Sequence, residues 1–169
     1  MLIDAARLLL FPAMMAFAAS TDLFTMTISN RVSLILVAGF LALAALDGMP
    51  LVEIGSHLGA GFVVLAVCFV FFYRGWIGGG DAKLAAATSL WLGWGHLYEY
   101  LLYASLLGGA LTLLILEFRK RSLPPALANQ PWVARLHEPA GGVPYGIALA
   151  AAGLMIYPQT QVWQLLAER

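Results

Sequence analysis

The chain holds 169 residues, 62% of them hydrophobic and 11% charged, with nine basic residues against nine acidic ones. Soluble domains carry roughly a quarter charged residues, and a soluble fold of this length has nowhere to hide so much apolar surface. The even charge balance removes the global field that would draw in nucleic acid or an acidic ligand. Length and composition imply one domain over residues 1–169, an all-α polytopic membrane protein in a lipid bilayer.

Six apolar segments follow one another, at roughly residues 5–21, 32–47, 55–73, 83–98, 99–117 and 141–158. Their runs are continuous rather than alternating, which favours about six transmembrane helices over a barrel. Some apolar cores fall short of the roughly 20 residues of an upright span, a shortfall that snorkelling ends and a thinned bilayer accommodate. In the first segment, LLLFPAMMAFAAS looks like a signal-peptide core. Asp4 accompanies Arg7 where a purely positive leader is needed, so a retained first helix is expected.

The third segment contains Cys68, the sole cysteine, within LAVCFVFF. An internal disulfide and a cysteine-cluster zinc site are thereby excluded, and a buried thiol is the expectation. Segments four and five are parted only by GWGHLYE, a soft boundary. The stretch RKRSLPPALANQPWVARLHEPAGG, with four prolines, reads as an ordered-to-mobile linker. QTQVWQLLAER suits a short interfacial helix anchored by Trp163, and the five tryptophans suit interface belts. No internal repeat is visible.

Basic residues set the orientation. Arg31, Arg74, Lys83, Arg119, Lys120, Arg121 and Arg135 fall in or beside the first, third and fifth connections, whereas DGMPLVE and GWGHLYE contain no lysine or arginine. With both termini outside, seven of the nine basic residues face the cytoplasm. The N-terminus is therefore expected outside.

Asp4, Asp47, Glu53, Glu99, Glu117, Glu138 and Glu168 fall in or near connections or ends, where solvation explains them. Asp22, closing the first apolar segment in AASTDLFTMTISN, and Asp81, opening the fourth in GGGDAKL, lie at similar depth on the expected cytoplasmic side. A carboxylate at a membrane boundary costs desolvation unless it is paired or employed. Two of them brought together tend to share one proton and can hold a water between a base and an acid, with titration belonging to the pair. The same pair would equally serve cation coupling in a small transporter.

Gly78, Gly79 and Gly80 would let the backbone take conformations closed to other residues and let a substrate strand approach. A flexible loop with an Asp cap is the plainer explanation of GGGD. Lys83, two residues beyond Asp81, should point away from it and can snorkel to lipid phosphates. Asn30 is expected to cap the second helix. His57, His96 and His137 share no metal-ligand spacing and read as structural or exposed; no metal or cofactor is expected.

GGGDAKL resembles the GxGD element of membrane-embedded aspartyl peptidases, and Asp22 in DLFTMTISN looks like the partner aspartate of type IV prepilin peptidases. The family's isoleucine-proline-asparagine element here reads Ile28, Ser29, Asn30, with the proline replaced. GGDAKLAAATSLWLG and GGVPYGIALAAAG also resemble family segments, in the right order along nearly the whole chain. The likeness is closest to the short members associated with tight-adherence (Flp-type) pilus assembly.

Longer members carry a zinc-binding cysteine extension and also methylate the new N-terminus. Neither feature is expected in a chain that begins at its first helix with a single cysteine. The resemblance implies an aspartic endopeptidase of the bacterial inner membrane that removes the cytoplasmic leader from a prepilin or pseudopilin. Asp22 and Asp81 would be the catalytic pair, with Gly78 and Gly80 shaping the loop, Lys83 in an unsettled role and the pilin's apolar helix bound laterally. An ion-coupled transporter and a non-enzymatic assembly scaffold remain the competing readings. Gly108 and Gly109 fit either packing within one molecule or an oligomer contact, so the oligomeric state stays open.

Overall fold

The structure, a computed structural model, describes residues 2–160 and 162–164, with side chains from residue 8 onward apart from 125 and 126. Its helices are α1 (Leu2–Thr25), α2 (Asn30–Leu46), α3 (Leu51–Tyr73), α4 (Gly79–Arg119), α5 (Pro125–Ala128), α6 (Pro131–His137) and α7 (Gly146–Ile156), followed by a 3₁₀ turn, Tyr157–Gln159. Among the described residues there is no strand. Three helices are long and apolar enough to cross a membrane, within Leu8–Thr25, Leu51–Tyr73 and Gly79–Arg119, and Asn30–Leu46 and Gly146–Gln159 are shorter apolar ones. Large apolar side chains such as Phe62, Phe69, Leu113 and Leu114 stand exposed on the outside, as lipid-facing residues do. The chain is an all-α membrane protein.

α4 is not one rod. Gly93 breaks it with φ 67° and ψ −175°, values a residue with a Cβ rarely adopts. Buried Tyr100 comes to Thr88 and lies within electrostatic reach of Asp81. On an unbroken helix those separations would be about 18 and about 28 Å, at 1.5 Å per residue. At its far end, Arg119 bonds the carbonyls of Leu136 and Gly142 in the segment that leads to α7. α4 therefore doubles back at Gly93 into two arms, 79–92 and 94–119. The two segments expected from sequence are both present, but the turn comes at Gly93, ahead of GHLYE.

The break has a partner on α3. The His57 ring is buried, and its Nδ1–H donates to the Leu90 carbonyl at 2.7 Å, where the helical ladder is interrupted. A Cβ on Gly93 would lie 2.9 Å from that ring. The expected structural role of His57 is thus specific: it holds the corner of a hairpin.

α2 and α3 end in the same way. Gly48 and Gly75 take the left-handed conformation, at φ 71° and 72°. Met49 N–H and Trp76 N–H then reach back to the carbonyls of Ala44 and Phe71, both at 2.9 Å. This Schellman arrangement satisfies terminal carbonyls that helices otherwise leave unpaired, and Trp76 packs on Phe71 across the second turn.

The core gathers around Trp91, which contacts Phe11, Phe40 and Tyr157 and donates its indole N–H to the Leu36 carbonyl. Trp91 is therefore a core residue and not part of an interface belt. Trp163 packs edge-on against Tyr157; most of the remaining tail that was read as an interfacial helix lies outside the described residues. The proline-rich linker is folded. It forms α5 and α6, and its carbonyls and side chains are held by Arg119, by His137 on the Arg121 carbonyl, and by Arg135 on the Phe24 carbonyl. All three connections that carry the seven basic residues meet at one end of the bundle.

Candidate active site

Asp22 lies in the last turn of α1, inside the helix rather than after it, and is 5% exposed. Its Oδ2 accepts the backbone N–H of Gly146, the first residue of α7, at 2.7 Å. The first N–H groups of a helix have no partner within it, and they favour negative charge. Burying a carboxylate so deeply is tolerable only with such a donor. The fit is close: a Cβ on Gly146 would lie 2.8 Å from that oxygen and 2.6 Å from Ile28 Cδ1.

Asp81 is the third residue of α4 and half-buried. Its carboxylate turns back to the N–H of Gly78, the residue that caps the helix, as the third residue of a capping box does. Its local cap role, the plainer reading of GGGD, is therefore present. Asp22 also acts electrostatically on Asp81. The two come together through Ile28, which packs on Gly80 from the chain between α1 and α2 and on Gly146 from the other side.

The glycines work differently from the expectation. Gly78 sits at φ −73° and ψ 146°, ordinary extended backbone, and Gly79 and Gly80 are helical. Positive φ occurs at Gly48, Gly75 and Gly93 instead. What the triplet supplies is space. A Cβ on Gly80 would stand 3.0 Å from Ile28 Cβ and 3.3 Å from its carbonyl oxygen, and one on Gly79 would stand 3.3 Å from the Phe72 ring.

Lys83 points away from Asp81, and its ammonium donates to Asn30 Oδ1 at 2.8 Å. Asn30 is thus not the cap of α2. Ser29, where the family element has proline, takes that place and accepts the Arg31 N–H on its hydroxyl. The Lys83–Asn30 bond ties the N-terminal end of α4, two residues beyond Asp81, to the first turn of α2.

Sequence reasoning passed over Gly146 and Ser33, and saw Ile28 only as part of the family element and Arg135 only as an orienting charge. Gly146 stood in the quoted GGVPYGIALAAAG, but its N–H meets a carboxylate 124 positions away, which no local pattern announces. Among the described residues no group of three or more ligating side chains is gathered for a metal ion. The arrangement offers two interacting carboxylates at the polar end of an apolar bundle, each fixed by a backbone amide. That suffices to hold a water and to take and give a proton.

The chain matches the model of the type IV leader peptidase family over residues 9–113. It is 35% identical over 132 residues to a prepilin leader peptidase/N-methyltransferase of Dickeya chrysanthemi, covering 75% of this chain and 46% of that protein. It is 43% identical over 58 residues to one of Pectobacterium carotovorum subsp. carotovorum, covering 34% of this chain and 21% of that protein. The chain thus spans less than half the length of the curated relatives it matches. No solved structure matches. A family match over more than half of the chain, ending beyond both the Asp22 and Asp81 segments, means that this protein belongs to the type IV leader peptidase family.

Proposed function

We propose that the chain is a membrane-embedded aspartyl endopeptidase, set in the bacterial inner membrane with Asp22 and Asp81 at the cytoplasmic face. Its substrate is a type IV prepilin or pseudopilin of the Flp type, cut between its leader and its apolar helix. What supports this most is the convergence of Asp22 and Asp81 at the basic end of the bundle, around a shared Ile28, in a member of this family.

The chemistry follows from the pair. One carboxylate, ionised, takes a proton from a water as its oxygen attacks the scissile carbonyl. The other, protonated, gives its proton to the carbonyl oxygen. The tetrahedral intermediate, a gem-diol, then collapses: the C–N bond breaks, the leaving nitrogen takes the proton that came from the water, one hydroxyl of the gem-diol returns its proton to the now ionised partner, and the acid and the amine separate with the pair restored. The amides of Gly146 and Gly78 keep the carboxylates in place throughout.

The test is co-expression with a Flp-type precursor, following precursor size. Wild type is expected to shorten it, and Asp22→Asn and Asp81→Asn to leave it whole while reaching the membrane in normal amount. Cleavage that survives in either variant removes that aspartate from the chemistry. Ion flux without cleavage across a panel of precursors would replace the peptidase with a transporter.

A further inference from the structure

A lateral groove of about 460 Å³ opens between α2, α3 and the first arm of α4. Its walls are stripes at positions i, i+3, i+4 and i+7 of each helix, running from Asn30 to Val37, from Leu58 to Leu65 and from Lys83 to Leu90. Such stripes make one continuous face of a helix, so the groove runs about 10.5 Å along the bundle, seven residues at 1.5 Å each. It begins at the Lys83–Asn30 bond, whose residues stand two beyond Asp81 and two beyond Ile28 in the chain, and it leads away from the aspartates into the apolar part of the bundle.

One group inside it lacks a partner. Ser33 is 9% exposed, lines the groove, and its Oγ has no hydrogen-bond partner among the described residues. A helical serine can bond the carbonyl one turn back, as Ser89 and Ser105 do here; Ser33 does not. A buried hydroxyl in an apolar surrounding is costly when unpaired.

We infer that this groove seats the stretch of substrate that follows the scissile bond, with Ser33 Oγ bonding to its backbone. The inference rests on the proposed peptidase function and names the binding surface of that site. A peptide bond must leave the helical conformation to be attacked, and the unwound residues then expose N–H and C=O groups to hydrocarbon, at several kcal/mol each. Ser33 can donate to one such group or accept from another. A lipid acyl chain would fill the apolar walls but offer Ser33 nothing. Gly61 lets α3 close onto Ala86 and Leu90 of α4, and the small Ala86 and Ala87 leave the floor of the groove shallow enough to admit a closely packed helix as the substrate regains its helical form.

Two measurements test this. In a Cys68→Ser background carrying Asp81→Asn to retain precursor, Leu34→Cys and Phe62→Cys on the groove rim should cross-link to cysteines placed along the precursor's apolar segment. Positions on the precursor should recur every three or four residues, and Leu113→Cys on another lipid-facing surface should give none. Equal cross-linking from position 113, no cross-link from 34 and 62, or cross-links from the groove to a photoreactive phospholipid alone would each overturn the assignment. In otherwise wild-type protein, Ser33→Ala should lower kcat/KM about fivefold, the worth of one hydrogen bond. Leu34→Trp, overhanging the groove, should lower it through KM. Wild-type cleavage with both variants unchanged sinks the groove and leaves the peptidase standing. Absence of wild-type cleavage for every precursor sinks both.

Discussion

In the proposed mechanism Asp22 and Asp81 each have a chemical job beside the structural one, and the choice of substitution separates the two. Each carboxylate accepts a backbone amide at the start of a helix. Asparagine keeps an acceptor oxygen there but cannot act as base or acid, so Asp22→Asn should lose activity and keep the fold. Asp22→Ala removes the acceptor as well and should cost about 1 kcal/mol or more of stability, read as a lower melting temperature in detergent. A melting temperature equal in the Ala and Asn variants would show that the Gly146 bond contributes nothing. Gly146→Ala is a sharper probe, because its Cβ meets both Asp22 Oδ2 and Ile28 Cδ1. Overpacking should cost about 1–3 kcal/mol, and displacing Asp22 should lower kcat at least a hundredfold. Adding Ile28→Val removes the Cδ1 contact and should recover stability but not kcat. Recovery of both would mean that Gly146 matters only for packing. The aspartates themselves were legible in the sequence because a charge at the edge of an apolar run is conspicuous. Gly146 and Ser33 were not, since glycine and serine are ordinary in such runs and acquire a role only from neighbours far along the chain; Ile28 stood out as part of a motif, but its contacts with Gly80 and Gly146 did not.

The short α5 and α6 lay in a stretch read as a linker, whereas the long apolar helices were legible to within a few residues, because apolar runs bounded by DG, RG and SN leave little freedom. The exception is the boundary between the arms of α4, where GLY-rich spacing offers Gly93 and Gly95 alike. The structure turns at Gly93 because that is where His57 stands ready with a donor. Gly93→Ala forces a Cβ into a left-handed conformation and against the His57 ring, which should lower stability by about 1–3 kcal/mol. His57→Phe keeps the ring on Phe40, its stacking neighbour, and leaves the Leu90 carbonyl without that donor. It should also cost about 1–3 kcal/mol. The corner lies at the opposite end of the bundle from Asp22, so the His57→Phe protein should cleave precursor normally at low temperature and fail early on warming. Loss of cleavage at a temperature where it remains folded would mean that the corner governs the site and not only the hairpin. The glycine triplet carries the complementary lesson. Sequence marks glycine but not its reason, and at Gly79 and Gly80 the reason is close packing and not a special φ.

At the scale of the molecule, two independent observations meet. The sequence distributes seven basic residues over alternate connections, which predicts one cytoplasmic face. The fold gathers those same connections at one end through contacts that owe nothing to that count: Gly146 to Asp22 and Ile28 to Gly80. Charge alone could not have brought the site there, and packing alone does not say which side of a membrane it faces. Together they would put the aspartates of the proposed site on the cytoplasmic side, where a leader peptide emerges from synthesis. Labelling decides it. In a Cys68→Ser background, Leu51→Cys lies at the end bearing the α2–α3 connection and Ser122→Cys in the loop after α4, both exposed. A membrane-impermeant maleimide added to spheroplasts should modify position 51 at once and position 122 only after the membrane is opened. Both labelled from outside would break the bundle's two-ended topology. The reverse pattern would put Asp22 and Asp81 on the outer face, where a cytoplasmic leader cannot reach them, and would remove leader cleavage as the function even with the pair's geometry intact.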